Sequence, residues 1–92
     1  MPTLQNEPLS GFADRLRLVR EACGFATRRA FAQALGIEEA AYRKYERAES
    51  YPQPETLGRI RQLTGATADY LYFGDESGLT VSLHRRISAI SA

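Results

Sequence analysis

Apolar positions recur along this chain at helical spacing, in blocks separated by glycine, proline or a hydroxyl residue suited to capping. Phe12, Leu16, Val19 and Cys23 fall at i, i+4, i+7 and i+11, and Leu18 and Ala22 widen that stripe. The spacing predicts a first helix opening at Ser10 or Gly11, with Asp14 beside the positive end of its dipole, and stopping at Gly24. Thr27 is a good N-cap for a second helix that carries Phe31, Ala32 and Leu35. The period then breaks and restarts at Leu35-Gly36-Ile37. A glycine accepts a positive φ there, so a third helix leaves at a steep angle with Ile37, Tyr42 and Tyr45 facing inward. Ala32, four residues before the glycine, lies where two crossing helices leave no room for a large side chain.

Ser50 to Pro54 holds two prolines and predicts a loop, after which Pro54 or Glu55 opens a fourth helix with Leu57, Ile60 and Leu63 inward. It ends at Gly65. Thr67 caps a short fifth helix, Asp69 lies in its first turn, and Tyr70, Leu71 and Phe73 face the core before Gly74. The segment from Glu76 to Ala92 is ambiguous. Leu79, Leu83, Ile87 and Ile90 form a helical stripe, whereas Leu79, Val81 and Leu83 alternate as in a strand. We take the helical reading. Such a stripe either folds back on the preceding unit or pairs with its copy on a second subunit.

Composition adds limits rather than a function. The 92 residues suit one small domain, with 43% apolar and 25% charged residues. The expected division is a flexible N-terminal arm over 1–9, a helical domain over 10–75 and a C-terminal extension over 76–92. No apolar run approaches the roughly 20 residues that cross a bilayer, and no signal-peptide pattern opens the chain, so a cytoplasmic protein is expected. One cysteine, Cys23, and one histidine, His84, cannot build a tetrahedral metal site, and no cofactor is expected. No nucleophile motif or paired carboxylates accompany His84, so an enzyme is not expected either. Net charge is only +1, but its distribution is uneven. Between Gly11 and Arg47, eight basic residues (Arg15, Arg17, Arg20, Arg28, Arg29, Arg43, Lys44, Arg47) face five acidic ones (Asp14, Glu21, Glu38, Glu39, Glu46). The local balance is 8 − 5 = +3, enough to conceal a basic face.

Arg28 and Arg29 oppose the dipole at the start of the second helix, a mild cost that a bridging phosphate would remove. Solvated arginines are the plainer alternative.

From Gly11 to Gly74 the chain resembles the phage-repressor and Cro-like helix-turn-helix family, also called the XRE family. The resemblance runs through LRLVREACG, FAQALGI, YRKYER, PQPETLGRI and GATADYLYFG. It implies an all-α, five-helix, lambda-repressor-like bundle whose third helix, about 38–47, enters the DNA major groove. It also implies a DNA surface made of Thr27, Arg28, Arg29, Glu39, Ala40, Arg43, Lys44 and Arg47. Arg28 replaces a residue, often Gln, that binds backbone phosphate; Glu39, Ala40 and Lys44 occupy base-reading positions; Arg43 and Arg47 lie near phosphates. Arg20 and Glu46 match a structural arginine–glutamate pair tying helix one to the end of helix three.

Three departures qualify the resemblance. Tyr42 stands in place of a smaller aliphatic residue, with Tyr51 and Tyr72 adding bulk nearby. Ala48 stands where the family commonly has glycine. Glu39-Ala40 is an unusual reading pair: glutamate can accept from cytosine N4 and alanine can touch the thymine methyl, but a carboxylate is repelled near phosphates, and capping the helix is the favoured role of Glu39. The implied function is a sequence-specific regulator of transcription on double-stranded DNA, repression being the family's commoner role. A homodimer is expected, with Leu79, Leu83, Ile87 and Ile90 as its candidate surface. The alternative is a protein-interaction module on the same scaffold, antitoxin-like, with little or no DNA binding. No small-molecule ligand is evident.

Overall fold

A computed structural model describes residues 7–91. These form six helices in the order α1 Glu7–Ala22, α2 Arg28–Leu35, α3 Glu39–Glu46, α4 Pro54–Thr64, α5 Ala68–Phe73 and α6 Val81–Ser91, and no strand among the described residues. The chain is therefore an all-α bundle of five helices with a sixth appended. None of the described helices is long and apolar enough to cross a membrane.

The first helix is the axis of the bundle. Phe12, Leu16 and Val19 are completely buried, and α1 packs against α3, α5 and α6. It begins at Glu7, earlier than the Ser10 or Gly11 expected. Proline in a first turn sacrifices no helical hydrogen bond, so Pro8 does not delay the start. Residues 7–9 therefore belong to the helix rather than to an arm, and the rest of the expected arm lies outside the described residues. At the other end Cys23 is half-buried; burial pushes its thiol up, opposed by the nearby Arg86.

The Thr27 side chain caps α2 by accepting from the Ala30 N–H at 3.1 Å. Gly36 ends it with φ 76°, and the Ile37 N–H returns to the Ala32 carbonyl at 3.0 Å. Ala32 is completely buried at this crossing. One contact was not visible in the local pattern. Arg59 reaches from α4 to donate through Nη1 to the Leu35 and Gly36 carbonyls, at 3.1 and 3.2 Å. A cation on the carbonyl end of α2 is favourable, and it ties the turn to α4.

Two residues expected in the core are outside it. On α4 Ile60 is buried and Leu57 packs partly against the core, but Leu63 is 41% exposed. Phe73 is 80% exposed, because α5 has only six residues and its inward arc is already filled by Tyr70 and Leu71. Thr67 accepts from the Tyr70 N–H at 3.0 Å as expected. The other end of α5 is closed by Arg15, whose Nε and Nη2 donate to the Leu71 and Tyr72 carbonyls, both at 2.9 Å.

The C-terminal stripe is helical and folds back. Thr80 caps α6 by accepting from the Leu83 N–H at 3.2 Å. Leu83 and Ile87 are 1% and 5% exposed, in one cluster with Phe12, Leu16 and Val19, and Leu79 packs against it. Leu83 and Ile87 are thus core residues, which corrects their assignment to a dimer surface. Ile90 and Val81 do face outward. The Leu83 and Ile87 part of the α6 stripe is thus covered within the chain, where α6 packs on α1.

Candidate nucleic-acid interface

The first turn of α2 and the last turn of α3 lie side by side, and the contact between them is specific. Arg28 Nε donates to Glu46 Oε1 at 3.2 Å. Glu46 is the centre of a network drawn from three helices. Arg20 of α1 donates to its carboxylate through Nε at 2.7 Å and Nη2 at 3.3 Å, and gives Nη1 to the Phe25 carbonyl at 2.9 Å. The Tyr42 hydroxyl, one turn back on α3, donates to Glu46 Oε2. Arg20 is 6% exposed and the Glu46 side chain is fully enclosed, so this is a shielded pair. Tyr42 has found a use for its extra bulk. Its ring packs edge-on against Phe31 at 5.3 Å and its hydroxyl completes the carboxylate's partners.

Burial and the Glu46 carboxylate hold the Tyr42 hydroxyl protonated, well above the usual phenol range. Burial would lower the Arg20 pKa, but the Glu46 hydrogen bond and charge raise it on balance. Arg20 Nη2 also lies 4.0 Å from Glu21 Oε2, so the two arginines of the network meet two carboxylates. Of the two arginines, Arg28, with its side chain 41% exposed, is the one that faces solvent.

The other candidate contacts divide by whether a carboxylate holds them. Arg43 Nη2 pairs with Glu39 Oε2 at 3.2 Å, one turn apart on α3, and Arg47 Nε pairs with Glu49 Oε2 at 3.1 Å. Among the described residues, Arg29 and Lys44 have no carboxylate within ion-pair distance, and both are exposed. Thr27 and Ala40 are exposed too. Glu38, not Glu39, is the N-cap of α3, and its side chain makes no capping hydrogen bond. Glu39 lies within the first turn, where its charge suits the dipole while its carboxylate is engaged by Arg43. After α3 the chain turns through Ala48 at φ 60°, the left-handed region that favours glycine, and the Glu49 N–H returns to the Lys44 carbonyl at 2.9 Å. The structure therefore brings Arg28 to the end of α3, leaves Arg29 and Lys44 unpaired, and neutralises Arg43 and Arg47 locally. Sequence reasoning missed the Arg28–Glu46 bond. Its only signal was the replacement of an amide by a guanidinium at position 28.

This architecture, two short helices about a left-handed glycine inside an all-α bundle, agrees with the family comparison. A family model described as a helix-turn-helix domain matches residues 12–71, about two thirds of the chain, and the chain belongs to that family. Among curated proteins it is similar to the SPbeta prophage-derived uncharacterized HTH-type transcriptional regulator YonR of Bacillus subtilis (strain 168). The two are 33% identical over 63 residues, covering 68% of this chain and 57% of that relative. This chain's match thus spans little more than half of the relative's length. No solved structure matches the chain.

Proposed function

We propose that this protein is a sequence-specific regulator of transcription that binds double-stranded DNA, with α3 entering the major groove. The observation carrying this reading is that exposed Arg29 and Lys44, without carboxylate partners among the described residues, accompany an Arg28 held through Nε by Glu46 at the start of α2 and on the outer side of α3. Lys44 and Ala40 reach base edges, Arg28, Arg29 and Arg47 meet phosphates, and Thr27 fixes the start of α2 between them. The relative's printed description as a transcriptional regulator supports the same reading. An eight-residue helix is only about 12 Å long, and half-sites on one face of the duplex lie about 34 Å apart. A homodimer on a palindromic site follows, acting in the cytoplasm on the nucleoid. Repression is the expected outcome, through occupation of a promoter.

The test is duplex binding across a salt series. Binding should weaken linearly in log–log form as salt rises. Lys44→Ala should weaken binding and relax sequence preference, whereas Arg28→Ala should weaken it evenly across sequences. A purified protein with no salt-dependent shift on any genomic fragment would remove this reading.

One observation favours a second reading. Arg28, Arg43 and Arg47 each already have a carboxylate partner, and Phe73 stands clear of the core, which suits a protein-interaction module on the same scaffold. Retention on a DNA resin with elution by salt separates the two.

A further inference from the structure

Glu46 does more than hold helices together. Its enclosed carboxylate accepts Arg28 Nε at 3.2 Å in addition to Arg20 and Tyr42, so one edge of the Arg28 guanidinium is anchored from inside the fold. Among the described residues, neither Nη group of Arg28 has a hydrogen-bond partner. Arg28 is also the first residue of α2, where backbone N–H groups lack intrahelical acceptors. An arginine normally loses much rotamer freedom on binding, and here part of that loss has occurred in the free protein. Because Arg20 is buried, Arg28 is the guanidinium of this network that faces solvent.

Resting on the DNA reading above, we infer that Glu46 is a positioning residue for a phosphate contact made by Arg28. Glu46 fixes Nε, and the Nη groups and the first N–H groups of α2 then face a single backbone phosphate. Charge alone does not reproduce this arrangement. A lysine at position 28 keeps the charge, but its compact ammonium cannot be held by the carboxylate on one side while presenting a planar fork on the other.

The experiment compares wild type, Arg28→Lys and Arg28→Ala on a duplex selected from a random 20-base-pair pool, with Kd measured against salt. Arg28→Lys should lose about tenfold in affinity, equivalent to ~1.4 kcal/mol, close to the loss in Arg28→Ala. Arg28→Ala should also lower the magnitude of the log Kd–log salt slope by about 0.9 for each protomer bound. A second readout needs no DNA: the Arg28 Nε–H should exchange slowly with solvent by NMR, unlike that of Arg29. If wild type binds with normal salt dependence and Arg28→Lys binds equally well, the positioning role is overturned while the DNA reading stands. Rapid exchange at the Arg28 Nε–H overturns it as well. If wild type shows no salt-dependent binding, the DNA reading fails and this inference with it.

Discussion

The sharpest test of the fold is to remove one member of the Glu46 network. Arg20→Ala deletes two hydrogen bonds to the carboxylate and one to the Phe25 carbonyl, but leaves Glu46 with Arg28 and Tyr42. Glu46→Ala is harsher, because it strands a guanidinium that is 6% exposed and a hydroxyl on a residue with no exposure. Breaking a buried pair from one side costs about 3–5 kcal/mol. We expect Arg20→Ala near the lower end, about 3, and Glu46→Ala near the upper. Tyr42→Phe removes one hydrogen bond to a charged group and should cost about 1.5–3 kcal/mol. Arg28→Ala, removing a half-exposed contact, should cost under about 1 kcal/mol. Whole domains of this length are stable by only about 5–14 kcal/mol, so Glu46→Ala approaches the limit of folding and Arg20→Ala is the safer measurement. Urea denaturation with an unchanged m value gives the differences. A double replacement by apolar residues of similar volume, Arg20→Met with Glu46→Leu, should recover much of the loss. If Arg20→Ala and Glu46→Ala each cost under about 1 kcal/mol, the pair is solvated rather than shielded.

Other outcomes follow from the same structure. Leu83→Ala should cost about 2–5 kcal/mol in thermal or urea unfolding, and Ile90→Ala under about 0.5, because only the former is buried against α1. Ala48→Gly should stabilise by up to about 1 kcal/mol, since it relieves the left-handed φ of 60°; a loss of stability in the same unfolding assay would mean that Ala48 makes compensating contacts. Above pH 10 stability should fall, because Tyr42 keeps its proton in the folded state after the unfolded chain has lost it. That contribution is fully present below the unfolded phenol pKa near 10 and is lost as pH rises toward the higher folded value, so Tyr42→Phe should flatten the alkaline limb of a pH–stability curve.

The parts of the fold that were legible in advance depend on local chemistry. Thr27 and Thr67 cap because a hydroxyl reaches an N–H three residues on, and Gly36 and Gly74 turn because they lack a Cβ. Such signals lie within a single turn of chain. The errors arise where a periodic stripe outran the surface available to receive it. Phe73 and Leu63 have inward-looking spacing, but α5 is too short to bury a third large residue and Leu63 falls at the edge of the α4 face. Arg15 was counted only as charge, Arg59 was not singled out, and Arg28 was read as a phosphate contact; none was given a partner within the fold. Their partners lie 56, 24 and 18 residues away, and no spacing rule identifies an acceptor that tertiary folding supplies.

Partners of this kind change how the basic balance of the N-terminal half should be understood. Arg15 and Arg20 are consumed by carbonyls and a buried carboxylate, and Arg17 forms a pair with Asp14 at 3.5 Å on the outer side of α1. The excess of +3 was therefore not a measure of the DNA-facing charge. Among the described residues, Arg29 and Lys44 are left without a carboxylate partner near α2 and α3, joined by the exposed side of Arg28. Arg43 and Arg47 can contribute only by exchanging a carboxylate for a phosphate, and each such exchange is weaker than a contact from a free cation. Exposed pairs are worth under about 1 kcal/mol and are screened by salt, so the exchange is feasible at both positions. The salt dependence of binding should accordingly reflect fewer phosphate contacts per protomer than the five cations along this surface would suggest. Replacing Glu39 or Glu49 by glutamine should steepen it. A slope unchanged by either substitution would mean that these pairs do not restrain the arginines.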